Sequence, residues 1–137
     1  MNPESKISFD DFKKVELTVG KILSAEKVVE TDKLLKLRVD FGQKSVPVVA
    51  APLENNQSPI INNQAERDIR QIISGIALYF PDPQTLVGKK CMFVTNIPVR
   101  TIKGLESNGM ILAISTEDGK FSLLEPSSEI PEGTRAR

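Results

Sequence analysis

Apolar and polar positions alternate in the first third of the chain. Val15, Leu17 and Val19 are separated by Glu16 and Thr18, and after Gly20 the apolar position moves to Ile22. A period of two marks a half-buried strand, and the one-residue slip predicts a β-bulge at the glycine. Leu35, Leu37, Val39 and Phe41 alternate with Lys36, Arg38 and Asp40. That pattern predicts a second strand with a cationic outer face. Shorter strand candidates lie at 71–74, 91–95, 110–114 and 121–124. Ser8-Phe9-Asp10-Asp11 has the form of a capping box, which predicts a short helix over 9–14 with Phe9 and Phe12 facing the core. Asp82-Pro83 is a cap followed by proline at the first helical position, and Gly88 is a stop, so a second short helix is expected between two strands. Five or six short strands with an N-terminal helix and one intervening helix predict an all-β fold, an OB-type β-barrel. Residues 1–7 read as a flexible lead-in and residues 8–137 as a single domain.

One segment has neither period. Residues 43–69 include Pro47-Val48-Val49-Ala50-Ala51-Pro52-Leu53 and Asn55-Asn56-Gln57-Ser58-Pro59-Ile60-Ile61-Asn62-Asn63, a composition that predicts a long surface loop inserted into the barrel. Four roles are open: a longer hairpin, a cover over an exposed barrel end, a contact with a partner, or an excursion with no role in ligand binding; in each case a loop beside the barrel alters access to it.

A length of 137 residues suits one domain with its own core. Six Phe, one Tyr and no Trp leave most of that core to Leu, Ile and Val. There is no apolar run long enough to cross a bilayer and no charged-then-apolar leader. The single Cys91 cannot form an internal disulfide, and the absence of His removes His-based acid–base chemistry and the usual zinc sites. A soluble, cytoplasmic protein without metal or cofactor is the expectation. Eighteen basic residues balance eighteen acidic ones, which taken alone argues against neutralising phosphates. The distribution changes the picture. Residues 13–44 carry eight basic and five acidic residues, residues 89–103 carry four basic and none acidic, and much of the compensating acid lies at Glu117, Asp118, Glu125, Glu129 and Glu132.

Catalytic constellations are missing. Ser74-Gly75 has no His to serve as base and reads as a turn; Asp40 and Glu16 are isolated strand carboxylates. No phosphate-cradling loop or dinucleotide fingerprint is present. The stretch 96–113, N-I-P-V-R-T-I-K-G-L-E-S-N-G-M-I-L-A, is different. It sets Arg100 and Lys103 in a loop, follows them with Ser107 and Asn108, and feeds an apolar strand. Asn96, Arg100, Lys103, Ser107 and Asn108 supply donors and acceptors for phosphate, sugar and base edges, while Gly104 and Gly109 let the backbone turn sharply. For Met110 two readings are open, a contact residue or the start of the core strand. Lys36 and Arg38 form either an RNA platform or a merely solvated face. Tyr79-Phe80 before Pro81 reads as a packed corner, so recognition through polar contacts and shape is expected rather than sequential base stacking.

These stretches match a family in order. Residues 11–22 (D-F-K-K-V-E-L-T-V-G-K-I), 32–37 (D-K-L-L-K-L), 39–42 (V-D-F-G), 70–77 (R-Q-I-I-S-G-I-A), 86–90 (L-V-G-K-K) and 96–113 together resemble the tRNA-binding domain found at the C-terminus of many methionyl-tRNA synthetases and in stand-alone tRNA-binding and CsaA-type proteins. The resemblance implies the same OB fold and a non-catalytic module that binds tRNA. It implies tRNA contacts at the positions of Asn96, Ser107 and Met110, with Lys33 nearby. It further implies a homodimer, for which the last segment from Leu123 and the apolar flank of the first helix are candidate interface, and a synthetase catalytic domain in the same chain or in trans. The family's other branch implies a rival, a CsaA-like peptide-binding chaperone, which would need an apolar groove lined by residues 47–53, Ile60-Ile61 and Met110. Alanine at Lys103 and Ser107 is expected to weaken tRNA binding with the fold intact.

Overall fold

The computed structural model describes residues 6–43 and 67–136. Residues 1–5 of the lead-in and 44–66 of the insertion lie outside the described residues, and with them the apolar stretches at 47–53 and 60–61.

Helix α1 (Phe9–Lys13) begins where the capping box places it, with the Asp11 N–H donating to Ser8 Oγ at 3.0 Å. Asp10 and Asp11 sit in its first turn and Lys13 in its last, each at the favourable end of the helix dipole. The helix buries none of its residues, and Phe9 is 70% exposed. The predicted core-facing role is therefore corrected. Strands β1 (Leu17–Lys27), β2 (Leu35–Gln43) and β4 (Lys90–Val94) already cover the inner positions of the sheet. The helix lies against a groove at its junction with β1 instead.

The main sheet also contains β3 (Arg67–Ser74) and β7 (Met110–Ile111), in the order β3-β2-β1-β4-β7, with antiparallel neighbours. The first half of β1 pairs with β4, from Leu17↔Val94 to Lys21↔Lys90, and its second half with β2, from Lys21↔Asp40 to Lys27↔Leu35. A strand that changes neighbours midway curls its sheet into a half-barrel. The C-terminal segment closes the open edge of β1: Gly133 N–H donates to Val19 O at 2.8 Å, Val19 N–H to Thr134 O at 2.9 Å and Ala136 N–H to Leu17 O at 2.9 Å. Two hairpins complete the fold, β5 (Arg100–Ile102) with β6 (Leu105–Ser107), and β8 (Ala113–Ser115) with β9 (Phe121–Leu123). The single strand expected over 110–114 is thus divided at Leu112, so that Ile111 pairs with Phe93 and Ala113 with Leu123. The second helical signal produces a 3-10 turn, Pro83–Leu86, capped by Asp82, and a further 3-10 turn spans Ala77–Tyr79.

The bulge falls on Leu23, where the pairing with β2 slips between Ile22 and Ser24, and not on Gly20. Gly20 is required by packing: a Cβ there would stand 2.5 Å from Val39 Cγ1, 2.6 Å from Phe41 Cε1 and 2.9 Å from Phe93 Cδ1. Those three side chains belong to one core with Ile22, Leu35, Leu37, Ile72, Leu86 and Cys91, in which Phe41 meets Phe93 edge-on at 5.1 Å. Burial, aided by Glu125 and opposed by Lys89, pushes the Cys91 thiol up to about 12. It is a small apolar filler and not a nucleophile. No helix among the described residues is long and apolar enough to cross a membrane.

Candidate nucleic-acid interface

The alternation in β2 sends Leu35, Leu37 and Val39 into the core and leaves Lys36 and Arg38 on the outer face. Register then decides their neighbours. Lys36 lies beside Glu26 of β1 and Ile73 of β3, and Arg38 lies beside Ser24 and Gln71. The β5–β6 hairpin is fastened over this part of β3 by three hydrogen bonds. Gln71 Nε2 donates to Glu106 O at 2.9 Å, Asn108 N–H donates to Gln71 O at 2.9 Å, and Ile73 N–H donates to Ser107 Oγ at 3.0 Å. The Ser107 hydroxyl in turn donates to Gly109 O at 3.1 Å. The hairpin turns on two residues, Lys103 at φ 53° and Gly104 at φ 79°, the left-handed pair that matches the natural twist of paired strands. Gly109, at φ 132°, seats the exit of the loop so closely that a Cβ would lie 3.1 Å from Val94 O.

This fastening carries Lys103 across to the β1–β2 corner. Lys27, Lys36 and Lys103 converge there with Glu26 on an open groove of about 340 Å³, whose apolar wall is Val28, Val29 and Leu105. Lys36 Nζ is 2.9 Å from Glu26 Oε2. Three lysines and one acid line the groove, so its lining is net cationic although the whole chain is neutral.

The predicted site residues divide into three sets. Lys36 and Lys103 share the groove. Lys33, Arg38 and Arg100 are exposed on the β1–β2 loop, on β2 and on β5, and Met110 is 40% exposed at the start of β7. The remaining three have structural engagements. Asn96 clamps the entry to β1, its Oδ1 accepting from Glu16 N–H at 2.8 Å and its Nδ2 donating to Lys14 O at 2.6 Å. Ser107 is 3% exposed and its hydroxyl is occupied by the fastening just described. Asn108 lines a separate polar groove with Arg70, Asp68, Thr95, Glu16 and Arg135.

The cations of that second groove are committed. Arg70 forks onto Asp68, with both contacts at 3.0 Å, donates to Thr95 O at 2.8 Å and lies over the Phe41 ring. Arg135 reaches Glu16 at 3.1 Å. Lys90 Nζ likewise donates to Ser128 O and Ile130 O, which places it in the fold and not on a ligand surface. Asp40 is held by Arg67 at 2.8 Å, and Arg67 also binds Glu132, so this carboxylate serves an ion-pair network. Sequence reasoning missed Lys27, Val28, Val29 and Glu26 as parts of the lysine groove. The only signal was the apolar Val28-Val29 pair that directly follows β1.

Comparison with known proteins assigns the class. A family model described as "Putative tRNA binding domain" matches residues 59–135. The methionine–tRNA ligase of Enterococcus faecalis is 38% identical over 130 residues, covering 95% of this chain and 16% of that protein. That of Methanospirillum hungatei is 41% identical over 132 residues, covering 96% and 16%. The chain therefore spans a small part of the curated relatives it matches. Among solved structures, a MetRS related protein from Pyrococcus horikoshii superposes with a TM-score of 0.73 at 34% identity, covering 96% of this chain and 98% of that one. The chaperone CsaA of Bacillus anthracis shares the fold, with a TM-score of 0.69 at 23% identity over 96% of this chain and 99% of its own. The chain belongs to the tRNA-binding domain family.

Proposed function

We propose that this chain is a non-catalytic module that holds tRNA against the outer face of β2 and β3, between the β1–β2 loop and the β5–β6 hairpin. The observation that carries this reading is that Lys36 and Lys103, distant in sequence, line one groove with Lys27, while Lys33, Arg38 and Arg100 are exposed on the adjoining elements. OB-type barrels bind oligonucleotides on this face and with these loops. Phosphate contacts from lysine and arginine supply most of the affinity and position the RNA without reading its sequence. In a methionine–tRNA ligase, in one chain or in trans, such a module raises the effective concentration of tRNA at the catalytic domain.

The test is a fluorescence anisotropy titration of labelled tRNA at several salt concentrations, with an unfolded apolar peptide as competitor. We expect binding that weakens steeply as salt rises and that the peptide does not displace. Peptide binding without tRNA binding at low salt would instead establish a CsaA-like chaperone.

A homodimer fits one surface. Phe9, Phe12 and Val15 of the α1 flank, all exposed, line an open groove of about 600 Å³ with Arg135 and Ala136 from the C-terminal segment. A second copy would cover this apolar strip. Because Phe9 is outside the core, Phe9→Asp is expected to yield a folded monomer in sedimentation velocity where the unaltered chain sediments as a dimer. Identical sedimentation of a dimeric variant would place the interface elsewhere.

A further inference from the structure

The lysine groove leaves part of the surface unexplained. Tyr79, in the 3-10 turn after β3, is 47% exposed, and Leu78 beside it is 67% exposed. The turn was expected to be a packed corner, and Phe80 does pack against the core. Tyr79 does not. Its ring lies flat on Phe121, with centroids 4.0 Å apart and planes 8° from parallel. Phe80 meets Phe121 edge-on at 5.8 Å, which fixes the lower ring of the pair. Tyr79 thus spends one face on Phe121 while almost half of the residue remains in water. A parallel pair seated on a fixed base is the start of a column that another planar ring can extend.

Position says what that ring belongs to. Lys89 and Glu125 both border the same groove and stand 3.7 Å apart, a partly exposed and weak pairing. The turn itself is tied to the β1–β2 loop, because the Ala77 N–H donates to Lys33 O at 2.9 Å. Lys33 precedes β2, which carries Lys36. One loop thus joins the strand that carries Lys36 to the turn that carries Tyr79.

We propose that Tyr79, seated on Phe121, stacks an unpaired nucleobase of the RNA held by the lysine groove. This rests on the RNA-binding reading and adds a base contact to it. Stacking uses the ring face that every base has, so the platform selects unpaired over paired RNA and does not select one base.

The chain contains one tyrosine and no tryptophan, which gives a direct test. Tyr79→Trp keeps a flat ring on Phe121 and installs a single indole that can be excited beyond the absorption of the bases. Titration with tRNA should quench its emission in step with the anisotropy of the labelled tRNA. Tyr79→Ala and Tyr79→Leu should each weaken binding about 5- to 100-fold, whereas Tyr79→Phe should bind normally. The salt dependence should be the same in all of them, since no phosphate contact is lost. Leucine restores apolar packing on Phe121 without a flat ring, so a merely structural role would spare it. Binding with unchanged indole emission, or a leucine variant that binds like the unaltered chain, would overturn the platform and leave the lysine groove standing. Emission quenched by an apolar peptide and not by tRNA would overturn it in favour of a peptide seat. No tRNA binding by the unaltered chain would overturn the RNA-binding reading and the platform together.

Discussion

Alanine at both Lys36 and Lys103 is expected to lower tRNA affinity about a hundredfold at low salt, taking each charge-assisted phosphate contact as worth about 1.5 kcal/mol. It should also flatten the slope of log affinity against log salt by about two. The structure makes this a sharper pair than Lys103 and Ser107. Lys103 sits on a hairpin turn and Lys36 on the outer face of β2, so removal of either head group touches no core residue. Ser107 is buried and its hydroxyl fastens the hairpin to β3, so its truncation combines a loss of stability with any loss of binding. Glu26 supplies a control of opposite sign. It is the carboxylate that Lys36 pairs with in the groove, and the pair is exposed enough to contribute little to stability. Glu26→Gln should therefore raise tRNA affinity several-fold without changing the unfolding midpoint, since it removes the repulsion on an incoming phosphate. A double lysine variant with unchanged affinity and slope would move the site off this face. Arg70→Ala is the wrong control, because Arg70 already satisfies Asp68 and the Thr95 carbonyl, and its loss leaves both unpaired.

The parts of this molecule that alternation governs were legible. Leu35, Leu37 and Val39 point inward and Lys36 and Arg38 outward because a strand has no other choice. The capping box placed α1 because its signal is local. What α1 faces is set by residues distant in the sequence, which is why Phe9 and Phe12 lie outside the core that their spacing predicts for them. Within the stretch 96–113, the sequence offers Asn96, Arg100, Lys103, Ser107 and Asn108 as contacts. Register and the hairpin then separate them. Lys103 is carried to the lysine groove, while Asn96 is spent on Lys14 and Glu16 and Ser107 on Ile73. A side-chain amide or hydroxyl that satisfies a backbone eighty or thirty-four residues away leaves no periodic trace. The Tyr79–Phe121 pair is of the same kind, a contact between residues forty-two positions apart. The start of β3 escaped for another reason: Arg67 and Arg70 pair with β2 through their backbone while their side chains join ion pairs, and Ile69, the apolar residue between them, is 40% exposed.

Gly20 shows how a correct signal can be attached to the wrong cause, and it carries the largest expected change in stability. The slip of the apolar pattern after Gly20 suggested a bulge, yet the ladder slips at Leu23, and Gly20 pairs regularly with Cys91. Its lack of a side chain is needed because Val39, Phe41 and Phe93 occupy the space above it, at the point where β1 passes from β4 to β2. A methyl group there approaches three carbons below 3.0 Å, and two of them belong to rings locked edge-to-face. Gly20→Ala is therefore expected to cost about 3 kcal/mol, the upper end for overpacking, and to show as a lowered midpoint in denaturant unfolding. Val39→Ala removes the nearest obstacle but on its own empties part of the core, at about 2 kcal/mol. If the clash is the cause, the two changes compensate: the double variant should be more stable than the sum of the single costs by about 1 kcal/mol or more. A bulge that merely prefers glycine would give strictly additive costs. The cycle thus separates a backbone requirement from a packing one, and additive costs would return Gly20 to the bulge reading.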